Sequence, residues 1–311
     1  MPGRQVFALK TLNPLKKNTT NEDFNQFKRE LEQLRRFNGT VHRHLVTLLA
    51  SYEHGGRYHF LFPWAKSTLE KFWETSPKPL DSDADAVIWV AEQLEGITGA
   101  INAIHEPKDN DTLQVPGEAR YGRHGDLKPD NILLFETDHS PRGTLVVTDL
   151  GLSTYNRVVS RSAHPGINAR IPGYRAPECD IIDGTATRGT DIWSLGCLYL
   201  ELLTWLLGGY ALVEKFKDQR TAVDHVMGTL GSLFFEFKPI AGSGLEGEIR
   251  VKEAVTKARA RSSPFIPRLT VITDFSQVHH GITRASKLHE IHPRSPQHHR
   301  REDAPGKGTE V

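Results

Sequence analysis

The chain has 311 residues, with 39 Lys and Arg against 38 Asp and Glu and a formal net charge of +1. That length can bury a sizeable core and hold two lobes, while a balanced charge excludes a global field drawing the protein onto nucleic acid or an anionic membrane. Its two cysteines, Cys179 and Cys197, have neither metal-ligand spacing nor the look of a disulfide framework, which fits a reducing compartment.

Met1 to Lys10 has no apolar core long enough for a signal peptide. The longest apolar run, Ile192 to Leu207, is shorter than the roughly 20 residues of a bilayer span and carries Glu201, so it predicts a buried core helix. The expectation is an intracellular protein, cytoplasmic or nuclear, with no membrane segment. Gln5 to Leu12 alternates apolar and polar residues and predicts a strand with Lys10 near its end. Thr19 and Glu22 form a capping-box pattern ahead of Phe24, Phe27, Leu31, Leu34 and Phe37, which recur at helical spacing. Glu30 borders that stripe and can point inward, with Glu32 competing for the place. Leu45 to Tyr52 and Tyr58 to Phe62 read as two strands of a hairpin around Gly55-Gly56, followed by Phe62-Pro63-Trp64-Ala65.

Asp81-Ser82-Asp83 can cap a helix with the stripe Val87, Val90, Leu94, Ile97, Ile101 and Ile104. Glu106 to Tyr121 reads as a surface insertion. Next comes Arg123-His124-Gly125-Asp126-Leu127-Lys128-Pro129-Asp130-Asn131, passing straight into Ile132-Leu133-Leu134-Phe135. One carboxylate, one ammonium and one amide at fixed offsets can hold an acceptor hydroxyl, a phosphoryl group and a metal together. Thr144 to Thr148 predicts a strand delivering Asp149-Leu150-Gly151. Gly173-Tyr174-Arg175-Ala176-Pro177-Glu178 and Asp191-Ile192-Trp193-Ser194-Leu195-Gly196 follow. Beyond Gly208, helices are expected over Ala211 to Met227 and Val251 to Ala260; Phe234 to Phe237 is an apolar patch without a predicted place. The His-, Pro- and Arg-rich end, His289 to Val311, is expected to be disordered.

The order His-x-Asp-x-Lys-Pro-x-Asn, with Asp-Leu-Gly, Ala-Pro-Glu and Asp-x-Trp-Ser-Leu-Gly after it, resembles the eukaryotic protein kinases; Phe60 to Trp73 and Asp180 resemble kinases of filamentous fungi. The resemblance runs from about Phe7 to Gly208. It implies an α+β bilobal fold, with an incomplete β-rich small lobe over 1–62, a hinge at 63–66, a mainly helical large lobe over 67–261 and an irregular tail over 262–311. It implies a protein kinase, serine/threonine type, that uses ATP and Mg²⁺ and acts on protein substrates; neither nucleic acid nor membrane is expected as a partner, and the oligomeric state is left open. Residue by residue, Asp126 would orient the acceptor hydroxyl and take its proton, Lys128 would neutralise the moving phosphoryl, and Asn131 and Asp149 would hold the metal. Lys10, paired with Glu30, would hold the phosphates. Ala8, Phe62, Pro63, Ala65 and Leu133 would surround the adenine. His124 is expected to be a packed structural residue, and Asp191 to brace the catalytic loop.

The chain also departs from the family. No Gly-x-Gly-x-x-Gly precedes Lys10, which points to truncation or to a fold that does not close over ATP. Gly125 stands where many members carry Arg, and Ile171 where serine/threonine kinases usually carry Thr. No Arg in a family-like context is apparent to pair with Glu178. Two other readings stay open: a catalytically impaired kinase-fold scaffold, and a small-molecule kinase, which would share His-Gly-Asp but lack Ala-Pro-Glu.

Overall fold

The computed structural model describes residues 6–12, 20–37, 41–76, 84–106, 120–137, 140–150, 154–157, 173–180, 184, 186–224, 228–240, 246–262 and 286–287. The expectations for Thr19, Asp81 to Asp83, Gly151, Ile171 and most of the tail lie outside these residues, as does the side chain of Glu22. The described residues form the expected α+β fold of two lobes, a small β-rich one and a larger, mainly helical one.

The small lobe is an antiparallel sheet of β1 (Phe7–Thr11), β2 (Ala50–His54) and β3 (Arg57–Pro63) in the order β1-β3-β2. Gly55 and Gly56 close the β2–β3 hairpin at φ +58 and +71, left-handed values that a two-residue turn needs at both central positions. Helix α1 (Thr20–Arg36) lies on this sheet through its aromatic stripe: Phe27 stacks on Tyr58 and Phe60, with ring centroids 4.5 and 5.1 Å apart. The strand expected from Leu45 begins only at Ala50. The apolar residues before it serve another contact: Leu45 forms a parallel bridge with Val147, and Val46 N–H donates to the Val147 carbonyl at 3.0 Å. This connection fastens the small lobe to the large one.

In the large lobe, β4 (Ser67–Thr68) leads into α2 (Leu69–Thr75), whose first turn is capped by the Thr68 hydroxyl accepting from Lys71 N–H. Helix α3 (Ala84–His105) buries Val90, Leu94, Ile97, Ile101 and Ile104, five of the six residues of its predicted stripe. Strands β6 (Ile132–Thr137) and β7 (Ser140–Val147) form a hairpin with β4 on its edge, and β5 (Arg120–Arg123) pairs with β8 (Thr154–Arg157). Part of the expected surface insertion is therefore strand.

Helix α4 (Arg188–Arg220) is the central element. By length and composition it could cross a membrane, but 67% of its most apolar stretch is buried inside the protein. Gly209 (φ 70, ψ −170) breaks it into two helices joined end to end. The helix expected to reach Met227 stops at Arg220. There the Arg220 side chain turns into the core, and the chain continues into β9 (Ala222–Val223), which pairs with β10 (Leu230–Gly231). The Phe234–Phe237 patch finds its place in and beside β11 (Phe235–Pro239), which pairs with β12 (Glu246–Val251). Val251 ends β12, so the last helix, α5, is Glu253–Ser262 rather than starting at Val251. Tail residues Ser286–Lys287 form β13 against β12, regular structure where an irregular tail was expected.

Two apolar clusters result. One runs between the lobes from Leu34, Phe37 and Phe60 through Leu45 and Val147 to Leu127, Leu150 and Tyr199. The other joins Ala176, Trp193, Cys197 and Phe216 to Phe234, Ile249 and Val255.

Among the described residues, β1 has a neighbour on one side only, and Val6, Phe7 and Leu9 are exposed. An open, apolar edge frays. Amide hydrogen exchange is expected to be at least tenfold faster in β1 than in β3; uniformly high protection from Val6 to Phe62 would contradict this.

Candidate functional site

Pairing of Lys10 with Phe60 turns both side chains to the face of the sheet covered by α1. There Lys10 Nζ meets Glu30 Oε1 at 2.7 Å and Asp149 Oδ1 at 2.8 Å. Glu30 is buried at the inner edge of the helix stripe, and Glu32 is not engaged with Lys10. Burial works against the charge on Lys10, but the carboxylates of Glu30 and Asp149 outweigh it and raise the lysine pKa. Three elements distant in sequence are thus joined by one ammonium group.

Asp149 has φ +61, a left-handed conformation that costs a non-glycine residue about 1 kcal/mol. Both flanks hold it there. Thr148 N–H donates to the Asn131 carbonyl at 2.9 Å, and Leu150 is fully buried.

The loop from His124 to Asn131 is fixed from beneath by Asp191, in the first turn of α4. Its carboxylate accepts from His124 N–H and Gly125 N–H, each at 2.8 Å, and contacts His105 Nε2 at 2.8 Å. Gly125 takes φ +82, which a glycine adopts without strain. His124 Nδ1 accepts from Asp126 N–H at 3.2 Å, and Nε2 donates to the Thr148 carbonyl at 2.9 Å. Both ring nitrogens are used on backbone, so His124 holds the loop and the strand before Asp149 together rather than acting as a base.

Lys128 Nζ donates to Asp126 Oδ2 at 3.1 Å, and the Asn131 amide nitrogen donates to Asp126 Oδ2 and to its carbonyl, both at 2.8 Å. Among the described residues these bonds leave Asp126 Oδ1 and the Asn131 amide oxygen unused. A hard divalent cation fits this donor set: Asn131 offers an oxygen, Asp149 a part-exposed carboxylate, and such an ion keeps waters and phosphate oxygens for its other positions. Among the described residues no group of three or more His, Cys, Asp or Glu is arranged to hold a metal.

Ala8 is the cross-strand partner of Phe62; Pro63 and Ala65 follow along the chain, and Leu133 lies on β6 in the large lobe. All five are half-buried, neither core nor open surface.

Several charged contacts escaped the sequence reading. Arg175, inside the Gly173–Glu178 motif, binds Asp180 and, at 2.7 Å, Asp224. Arg220 pairs with Glu201, which also accepts from the Tyr174 hydroxyl. Glu178 Oε2 is buried without a hydrogen-bond partner among the described residues, and burial raises its pKa. The Glu70 carboxyl is pushed up to about 7, first by its hydrogen bond to Asp130 in the loop and then by burial. The paired groups lie from five to sixty residues apart at no recurring interval, so pattern reading had no means of pairing them.

The model of the protein kinase domain family matches residues 2–227, well over half of the chain. Among similar proteins, human cyclin-dependent kinase-like 4 is 26% identical over 175 residues, covering 56% of this chain and 39% of its own length. Extracellular signal-regulated kinase 1 of Dictyostelium discoideum is 30% identical over 161 residues, 51% of this chain and 24% of its own. Serine/threonine-protein kinase crk1 of Schizosaccharomyces pombe is 33% identical over 111 residues, 36% of this chain and 30% of its own. The chain therefore spans less than half the length of these relatives.

Asp191→Ala leaves two backbone N–H groups of the loop without their acceptor. At about 1–3 kcal/mol for each buried donor left unpaired, a loss on the order of 3 kcal/mol is expected in chemical denaturation, and a change under 1 kcal/mol would show that the brace is not needed.

Proposed function

The chain belongs to the protein kinase domain family, and from that premise we propose that it transfers the γ-phosphoryl group of Mg-ATP to serine and threonine hydroxyls of proteins inside the cell. The observation that carries this reading is the contact of Lys10 with both Glu30 and Asp149 at 2.7 and 2.8 Å, which spans the two lobes where a nucleotide triphosphate would lie. Lys10, held by Glu30, binds the phosphates. Ala8, Phe62, Pro63, Ala65 and Leu133 enclose the base; Pro63 can offer only its carbonyl, since it has no N–H. Asn131 and Asp149 hold Mg²⁺, which supplies charge neutralisation at the phosphates.

Asp126 orients the acceptor hydroxyl through Oδ1 and takes its proton as the new oxygen–phosphorus bond forms and the bond to the departing diphosphate breaks. Lys128, already on Oδ2, places its charge beside the phosphoryl group in transit. Lys128 and the serine/threonine kinase among the relatives support hydroxyl specificity of that type. The alternative, a kinase-fold binding protein that does not turn over, is favoured by one observation: β1, which carries Lys10, is an open edge among the described residues.

Labelled ATP and a generic protein substrate test the reading, with Asp126→Asn as control. The substitution is expected to lower incorporation at least a hundredfold, in the range that general acid–base groups contribute, whereas equal incorporation would remove Asp126 from its role. Thermal unfolding separates the alternative: Mg-ATP at one hundred times its Kd adds about 2.7 kcal/mol to a protein that binds it. A stabilised protein without turnover would favour the binding module, and no shift at all would count against a nucleotide site.

A further inference from the structure

The connection between α1 and β2 carries two histidines at the joint of the lobes. His44 is buried, and its Nδ1 donates to the Leu145 carbonyl of β7 at 2.6 Å; its own carbonyl accepts from Val147 N–H at 2.8 Å. His42 Nδ1 accepts from His44 N–H at 3.2 Å, and the two rings lie 5.6 Å apart. Both rings rest on α3 at glycines. A Cβ added to Gly96 would come within 2.1 Å of His44 Nε2, and one added to Gly99 within 2.7 Å of His42 Nε2. Helix α3 is thus stripped of side chains where these rings sit.

The hydrogen bonds fix the neutral tautomers. His44 carries its proton on Nδ1, so a second proton must go onto Nε2, against the backbone of α3. His42 uses the lone pair of Nδ1, so a second proton there breaks its bond from His44 N–H. Surrounding charge gives no help. Burial lowers both pKa values, and Arg43 lowers them further; in His44 the bond to Leu145 opposes this without prevailing. Of the other charged groups nearby, α3 brings Glu92 and Glu95, both exposed and neither acting on the rings, β7 brings Arg142, and the last turn of α1 brings Arg35 and Arg36.

We propose that His42 and His44 form an acid-sensitive latch between the lobes: unprotonated, they hold the α1–β2 connection on α3 and β7, and proton uptake releases it. Because α1 carries Glu30, release also loosens the Glu30–Lys10 contact. The sign follows from the lowered values. The released connection binds more protons than the latched one, so the latch is intact above the ordinary histidine value of 6.5 and is lost progressively as pH falls below it.

The test is the double variant His42→Asn/His44→Asn in the full chain, since an asparagine amide reproduces a donor and an acceptor close to Nδ1 and does not titrate. The thermal midpoint of the variant relative to the original protein is expected to rise by roughly 2–4 °C between pH 7.5 and pH 5.5. Exchange of amides 44–49, compared at equal pH, is expected to be several-fold faster in the original protein at pH 5.5 and equal at pH 7.5. Parallel midpoint curves with equal exchange would overturn the proposal. Should the variant fail to fold, imidazole NMR titration of the original protein decides: the latch requires both rings to titrate below 6.5, and either ring titrating at or above it would overturn the latch.

Discussion

Asp191 is the constraint on which the candidate site rests. A carboxylate this deeply buried is costly unless each lone pair is met, and here two backbone N–H groups and a histidine meet it. Its position in the first turn of α4 makes the central helix of the large lobe the reference frame for the loop above. From His124 the bonding continues upward to the Thr148 carbonyl, and so to Asp149. The polar groups that would meet a phosphate are therefore positioned by the apolar core beneath them.

Lys10 extends the frame to the small lobe. Its contacts reach across the cleft, and the strained backbone of Asp149 is what turns that carboxylate toward the lysine. Such strain persists only where neighbours over-determine it, and the backbone bond from Thr148 together with the buried Leu150 does so. Closure between the lobes thus depends on two unlike devices: a charge network at the front, and behind it an apolar and histidine joint at Leu45, Val46 and Val147.

The sequence made the local part of this arrangement legible. The stripe of α3, the Gly55-Gly56 turn, the run from His124 to Asn131 and the placing of Lys10 and Glu30 all follow from spacing or from motif order, because each is set by residues close together or by a loop whose chemistry admits few substitutes. What was illegible depends on distance. Nothing in the run Leu45 to Leu49 says that its first residues bond to β7 rather than extend β2. Nothing in Ala211 to Met227 says that Arg220 turns inward and ends the helix. Arg175 illustrates the limit well: it belongs to a recognised motif, yet its partners Asp180 and Asp224 come from outside that motif and give it a use that the motif does not specify.

Arg220 is almost fully buried, with its guanidinium 4.2 Å from the Phe216 ring centroid and 3.8 Å from that of Phe234, and is paired with Glu201. A guanidinium does not lose its proton in a protein. Burial also drives the Tyr174 phenol and the Cys197 thiol beside it well above their ordinary values, so both stay neutral. Arg220, Tyr174 and Cys197 therefore each keep one protonation state, and the buried thiol is inert to alkylating reagents and mild oxidants. A thiol so placed reacts only once the base of the large lobe has opened, so the rate at which Cys197 is labelled is a clock for that opening.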